Sequence, residues 1–263
     1  MSLLALASVK GSPGVTTAAV ALAATWPGDR AVVAEVDPAG GDLAARFGLA
    51  EEPGLMSWAA ASRRAPATEE LLRHTQEIPG GIPVLVGPAG AGQAGGALRL
   101  LGSRAPLGFE RFGDADVLAD CGRLELTESS HPLLREADFL ILLVRPALAD
   151  LAQLAARIDS VRSGARDTAL VLAGSGPYPA KEVTDTLGIA VLGHLPTDPE
   201  GAAVCSGAGS SSPRAQARSS LLRAARSLAE DLASRLAARP GRQDGGAAAE
   251  AQKRVTPALE AAR

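Results

Sequence analysis

Short runs of uninterrupted aliphatic residues alternate with longer Ala/Leu-rich stretches along most of the chain. Residues 3–9 and 31–36 are apolar throughout apart from Ser8 and Glu35, and shorter runs follow at 82–86, 117–119, 139–144, 168–172 and 189–192. Strands without polar alternation are buried on both faces, and helical connections between them are what parallel strands require. The pattern predicts an α/β fold of three layers, a mainly parallel sheet with helices on both faces. Helices are expected at 16–24, and at 147–161, where Leu148, Leu151, Leu154 and Ile158 recur at helical spacing. A long helix is expected where Leu221, Ala225, Leu228, Leu232 and Leu236 mark one face, ending before Pro240 and Gly241. The stretch GPAGAGQAGG (87–96) reads as a mobile loop, and GAGSSSP (207–213) as a second one. No internal repeat interrupts this plan. It amounts to one domain over residues 1–239 and a flexible, Ala-rich C-terminal tail over 240–263.

Composition narrows the function classes. The 263 residues are 46% hydrophobic and 21% charged, and 26 Lys+Arg stand against 29 Asp+Glu for a net charge of −3. That balance advertises neither nucleic acid nor an anionic membrane, while leaving room for a local basic patch. Arg214, Arg218, Arg223 and Arg226 are near one another, which fits a solvated helix face and gives non-specific DNA binding only weak support. Two cysteines, Cys121 and Cys205, with three histidines exclude a disulfide framework and a Cys/His zinc site. No basic segment precedes the first apolar run, and no uncharged apolar stretch approaches the roughly 18 residues of a membrane helix. A cytoplasmic protein with no integral membrane segment is expected. Lysine occurs only at positions 10, 181 and 253, arginine supplying the other basic residues, so a lysine in a glycine loop stands out.

That lysine lies in ASVKGSPGVTT (7–17), where the first strand feeds the first helix. A glycine-bearing turn there aims backbone N–H groups and a helix N-terminus at one spot, which suits phosphate oxygens. The same segment would also serve as an ordinary strand-to-helix turn. The run Lys10-Gly11-Ser12-Pro13-Gly14-Val15-Thr16-Thr17 resembles the deviant Walker A loop, KGGxGK[ST]T, of the MinD/ParA family of P-loop ATPases. It includes the early lysine that distinguishes that family. It departs at Val15, where the family carries the lysine that contacts phosphate, and at Ser12, where it carries glycine.

Two further segments support the resemblance. Glu35-Val36-Asp37-Pro38 is similar to the family's DxDP motif, with Asp37 matching the second acid and Glu35 replacing the first aspartate one methylene further out. Val117-Leu118-Ala119-Asp120 resembles a Walker B strand, although Asp120 would equally cap a turn. Cys121 beside it reads as a small buried filler. Leu170–Ala173 lacks the family's adenine-reading asparagine, and Leu195-Pro196-Thr197-Asp198 resembles the loop beside the base.

The resemblance implies ATP and Mg²⁺ as cofactors, both weakly bound for want of the Val15 cation. It implies phosphate contacts from Gly11, Ser12, Gly14, Val15, Thr16 and Thr17, with Pro196 and Asp198 near the base. Metal ligation falls to Thr16, Asp37 and Asp120, and catalysis to Lys10 and Asp37. A homodimer is implied, with Lys10 reaching the partner's phosphates and the cargo unidentified. Two functional classes fit: a slow ATPase switch that positions DNA, division, pilus or secretion machinery, and a scaffold that keeps the fold but hydrolyses little. A small-molecule ligase of the same superfamily fits less well, because it would keep the loop lysine. The tail offers only Val255 and Leu259 as large aliphatics, too little apolar area to hold a membrane.

Overall fold

The computed structural model describes residues 2–28, 31–61, 72–103, 115–124, 131–209 and 213–238. The tail at 240–263 therefore lies outside the described residues.

In chain order the elements are β1 (Leu3–Ser8), α1 (Val15–Ala23), β2 (Ala31–Glu35), α2 (Leu43–Phe47), α3 (Leu55–Ala61), β3 (Gln76–Ile78), β4 (Ile82–Leu85), α4 (Ala91–Gly102) and β5 (Asp116–Arg123). They continue as α5 (His131–Glu136), β6 (Phe139–Val144), α6 (Leu148–Ala155), α7 (Ile158–Gly164), β7 (Thr168–Ala173), α8 (Ala180–Leu187), β8 (Val191–Leu195), α9 (Pro199–Val204), α10 (Pro213–Arg218) and α11 (Ser220–Ala237).

Eight strands form one sheet in the order β3-β4-β2-β5-β1-β6-β7-β8. Every pairing is parallel except β3 with β4. Strand alternation sorts the aliphatic side chains between two cores. Leu3, Ala5 and Ala7 of β1 pack on one face with Trp58, Leu101 and Leu134. Leu4 and Leu6 pack on the other with residues of α1 and α11, including Leu22 and Leu228. Helices thus cover both faces, as the apolar runs predict, and β1 is buried along its whole length.

Three local expectations are corrected. Residues 91–96 are helical, not a loop, and form the first turns of α4. Their small side chains suit a helix packed closely on α3, with Ala94, Gly95 and Ala97 buried, so packing overrides the low helix propensity of glycine. The helix expected over 147–161 divides into α6 and α7 around Ala156 and Arg157. Leu154 is buried, whereas Leu148 is 68% exposed, so the four residues do not share one core-facing stripe. The strand expected at 189–192 is β8, displaced toward its C-terminus. Gly188 ends α8 in the left-handed conformation, and the ladder to β7 runs on through Gly193, His194 and Leu195.

Candidate functional site

The central strands β1, β2 and β5 lie side by side and end at one edge, where open α/β sheets place their ligands. Gly11 (φ 70°) and Gly14 (φ 93°) turn the chain between β1 and α1 through the left-handed region. L-residues with a Cβ adopt that region at a cost. At Gly11 a Cβ would also run into the Arg145 guanidinium.

The turn walls a cleft of about 670 Å³, to which Gly11, Ser12, Gly14, Val15, Thr16 and Thr17 all contribute. Asp37 from the end of β2 and Gly122 from β5 face them. Gly122 has φ 57° and no room for a Cβ, because the Asp37 carboxylate lies against it. Asp37 Oδ1 accepts the Ala39 N–H at 2.7 Å, which fixes the turn after β2.

Asp120 is 1% exposed beneath this cleft. The Thr16 hydroxyl is its side-chain hydrogen-bond partner, and the Gly122 N–H donates to Oδ1 at 3.0 Å. Burial raises its pKa to about 6 against these hydrogen bonds, with the charges of Asp37 and Asp42 adding to the rise. Three groups read as metal ligands, Thr16, Asp37 and Asp120, are thus gathered at one place. Among the described residues no group of three or more His, Cys, Asp or Glu could hold a metal ion unaided. One hydroxyl and two carboxylates instead suit Mg²⁺, which keeps waters and takes phosphate oxygens as its remaining ligands. The positive-φ loop, the helix N-terminus and this oxygen set fit a nucleotide phosphate with Mg²⁺.

Val15 departs from a phosphate-binding role. It lines the cleft but is 6% exposed and packs with the α1–α11 core, bringing no charge. Lys10 is exposed and does not line the cleft.

Glu35, the first acid of the EVDP segment, turns to the backbone instead of joining Asp37 on the cleft wall. It is 2% exposed, and Oε1 accepts from Asp42 N at 2.7 Å and Leu43 N at 3.0 Å. Oε2 accepts from Gly87 N at 2.8 Å. Burial raises its pKa to about 7, opposed by those three N–H groups. Glu35 therefore pins the turn after β2 to the segment after β4. Cys121 is buried, with its thiol pKa pushed up by burial and then by Asp120 and Asp37, as a small filler would be.

Pro196 and Asp198 lie in an adjoining cleft on the other side of the loop, with Gly14 and Thr17. The Asp198 carboxylate is committed to helix ends. Oδ1 accepts Gly201 N at 2.9 Å, capping α9, and Oδ2 accepts from Ser219 Oγ, Ser220 Oγ and Leu221 N at the start of α11. Backbone donation by Gly201 and Leu221 holds its carboxyl well below the usual carboxylate range. A lost cap and lost charge-assisted bonds make Asp198→Ala destabilising by about 2 kcal/mol near neutral pH. A lowered pKa contributes stability above the unfolded value, near pH 4, and loses it as pH falls through the folded value. Urea unfolding of wild type and variant should therefore converge as the solution is acidified below about pH 4. A gap that widens in acid would contradict this role for the carboxylate.

Sequence reasoning missed two arginines. Arg123, the last residue of β5, lines the cleft walled by the glycine turn, and its Nη2 donates to Gly11 O at 3.4 Å. Arg145 follows β6 and packs on Gly11 from the side of the adjoining cleft, with Nε 3.7 Å from Asp150 Oδ2. The signal available was an arginine at the end of one apolar strand and just past another, at the sheet edge that carries the glycine turn.

No protein-family model and no curated protein sequence matches the chain. Solved structures do. The cell division ATPase MinD of Pyrococcus furiosus superposes with TM-score 0.67 at 20% identity, over 89% of this chain and 98% of that one. The septum site-determining protein MinD of Pyrococcus horikoshii OT3, complexed with Mg-ADP, gives TM-score 0.66 at 18% identity, over 88% and 95%. A ParA family ATPase from Chlorobium tepidum TLS gives TM-score 0.65 at 16% identity, over 88% and 98%. With the parallel sheet and the glycine turn at the end of its central strand, these likenesses establish that the chain has the fold of the MinD/ParA P-loop ATPases.

Proposed function

We propose that this chain is an atypical MinD/ParA-like nucleotide-binding protein, a slow ATP-dependent dimerising switch that positions cellular cargo. The observation that carries the reading is the meeting of Thr16 and Asp120 beneath the Gly11–Gly14 turn, with Asp37 across the cleft. The Gly11–Thr17 backbone and the α1 N-terminus receive the phosphates, and Thr16, Asp37 and Asp120 hold Mg²⁺ directly or through water. Bound ATP–Mg²⁺ supplies the phosphoanhydride to be cleaved and the divalent charge that stabilises its transfer. Asp37, on the cleft wall, orients a water. Val15 adds no positive charge, so binding is weaker than in a lysine-bearing loop and turnover is slow. Two of the structurally similar proteins are named for cell division and septum-site determination, which supports a positioning role. Among the described residues no helix is long and apolar enough to cross a membrane.

Dimerisation is part of the proposal. Lys10 is exposed beside the phosphate turn instead of lining its own cleft, as a residue that serves a partner subunit would be. Leu148, the large apolar side chain left exposed among the described residues, follows β6 at the same sheet edge. A scaffold that binds nucleotide without turnover is the second reading, favoured by the missing cation at Val15. Isothermal titration with ATP–Mg²⁺ followed by a turnover assay on the same sample separates them. Heat of binding with phosphate release supports the switch, binding without release supports the scaffold, and absence of binding overturns both.

Lys10→Ala is expected to leave thermal stability within about 0.5 kcal/mol of wild type, because an exposed loop lysine contributes little to packing. It should abolish the shift toward dimer that ATP–Mg²⁺ induces in sedimentation. Identical oligomer distributions for the two proteins at saturating nucleotide would remove Lys10 from any switching role.

A further inference from the structure

We infer that Arg123, at the end of β5, supplies the phosphate-facing positive charge that position 15 lacks. The inference rests on the nucleotide-binding reading above and names the residue that makes such a site workable. Two arginines line the phosphate cleft, Arg46 and Arg123. Arg46 is neutralised by Asp42, its Nη2 lying 2.6 Å from Oδ2. Arg145, on the other side of the turn, is held beside Asp150. Among the described residues Arg123 makes no ion pair, and its one side-chain hydrogen bond, to Gly11 O, places the guanidinium on the turn itself. Its five fixed donors leave several N–H groups for oxygens of a bound anion.

The backbone explains why an arginine three residues after the buried acid reaches the same cleft. In a regular strand, positions 120 and 122 share one face, and 123 points to the other. Here Leu6 is opposite Asp120 but Ser8 is opposite Arg123, so three steps along β5 match two along β1. The extra residue is a bulge, with Gly122 at φ 57°. It reverses the alternation and brings Arg123 to the side of Asp120, a use of bulges found beside binding sites. The metal-holding acid and the anion-holding cation therefore rise from one strand end.

The test measures binding, independently of hydrolysis. Titration calorimetry with ADP–Mg²⁺ and with adenosine is run on wild type, Arg123→Ala, Arg123→Lys, Val15→Lys and the Val15→Lys/Arg123→Ala double variant. Arg123→Ala is expected to lose about ten- to a hundredfold in ADP affinity, the worth of a charge-assisted hydrogen bond, with adenosine affinity unchanged. Arg123→Lys should recover part of the loss. Val15→Lys should raise ADP affinity at least about tenfold more in the Arg123→Ala background than in wild type, because one cation then substitutes for the other. Circular dichroism melting confirms that each variant is folded. Equal ADP affinity in wild type and folded Arg123→Ala overturns the inference while leaving nucleotide binding intact. Wild type that binds no ADP overturns the nucleotide-binding reading instead. An equal gain from Val15→Lys in both backgrounds shows that the two positions act independently and also counts against the substitution.

Discussion

Glu35→Ala is expected to lower the unfolding free energy by at least about 3 kcal/mol. Its carboxylate is the acceptor for three backbone N–H groups, those of Asp42, Leu43 and Gly87. Each donor left unpaired and buried costs about 1–3 kcal/mol. The surroundings are shaped to this side chain, since a Cβ at Gly41 would collide with the Glu35 carboxylate. Relief of a buried charge offsets part of the loss near neutral pH, because Glu35 is held at a pKa of about 7. The turn it anchors carries Asp37 and Asp42, so Mg²⁺-dependent nucleotide affinity should fall as well. Glu35→Gln, which keeps one acceptor oxygen, should lie between wild type and alanine. Urea unfolding near pH 6 decides the matter, and a Glu35→Ala midpoint equal to that of wild type would remove Glu35 from its anchoring role.

Stability is expected to fall as pH rises through neutrality when metal is absent. Asp120 is raised to about 6 and Glu35 to about 7, chiefly by burial, from ordinary values of 3.8 and 4.5. The two are cross-strand neighbours on β5 and β2, and the Asp120 charge contributes to the rise at Glu35. A raised pKa means that the folded state holds its proton more tightly than the unfolded one. The stabilisation is complete below about pH 4 and is lost as pH climbs through the folded values of about 6 and 7. For each group the loss is on the order of 3 kcal/mol. Thermal unfolding of wild type and Asp120→Asn across about pH 4–8 isolates one of them. The advantage of wild type should shrink with rising pH, and Mg²⁺ with ADP should restore it by favouring the ionised carboxylate. A wild-type advantage that grows with pH in metal-free buffer would contradict the burial argument.

The sheet was largely legible in the sequence because its central strands are buried on both faces and so appear as unbroken apolar runs. β1, β2 and β6 show this plainly. β3 escaped notice because three residues at an antiparallel edge, two of them polar, leave too short a pattern. The start of α4 was obscured for the opposite reason. Its glycines, read locally, mark a loop, and only the neighbouring α3 gives them a reason to be helical. In the candidate site, Thr16, Asp37 and Asp120 were legible from strand ends followed by acidic or hydroxyl residues. The task of Glu35 was not, because a carboxylate that replaces an expected aspartate looks the same in sequence whether it faces a ligand or three backbone donors. Arg123 was hidden by a bulge, since ordinary strand alternation assigns it to the face opposite Asp120.

That bulge also bears on how such a site can change by descent. Positions 15 and 123 reach the cleft from separate elements, the first turn of α1 and the end of β5, so a lysine at one and an arginine at the other can coexist in a single chain. If Arg123 serves as inferred above, either cation suffices for the turn, so one position is free to change while the other keeps the charge. The inherited trait to compare among relatives is then the spacing of acid, extra residue and arginine along β5 as much as the lettering of the loop.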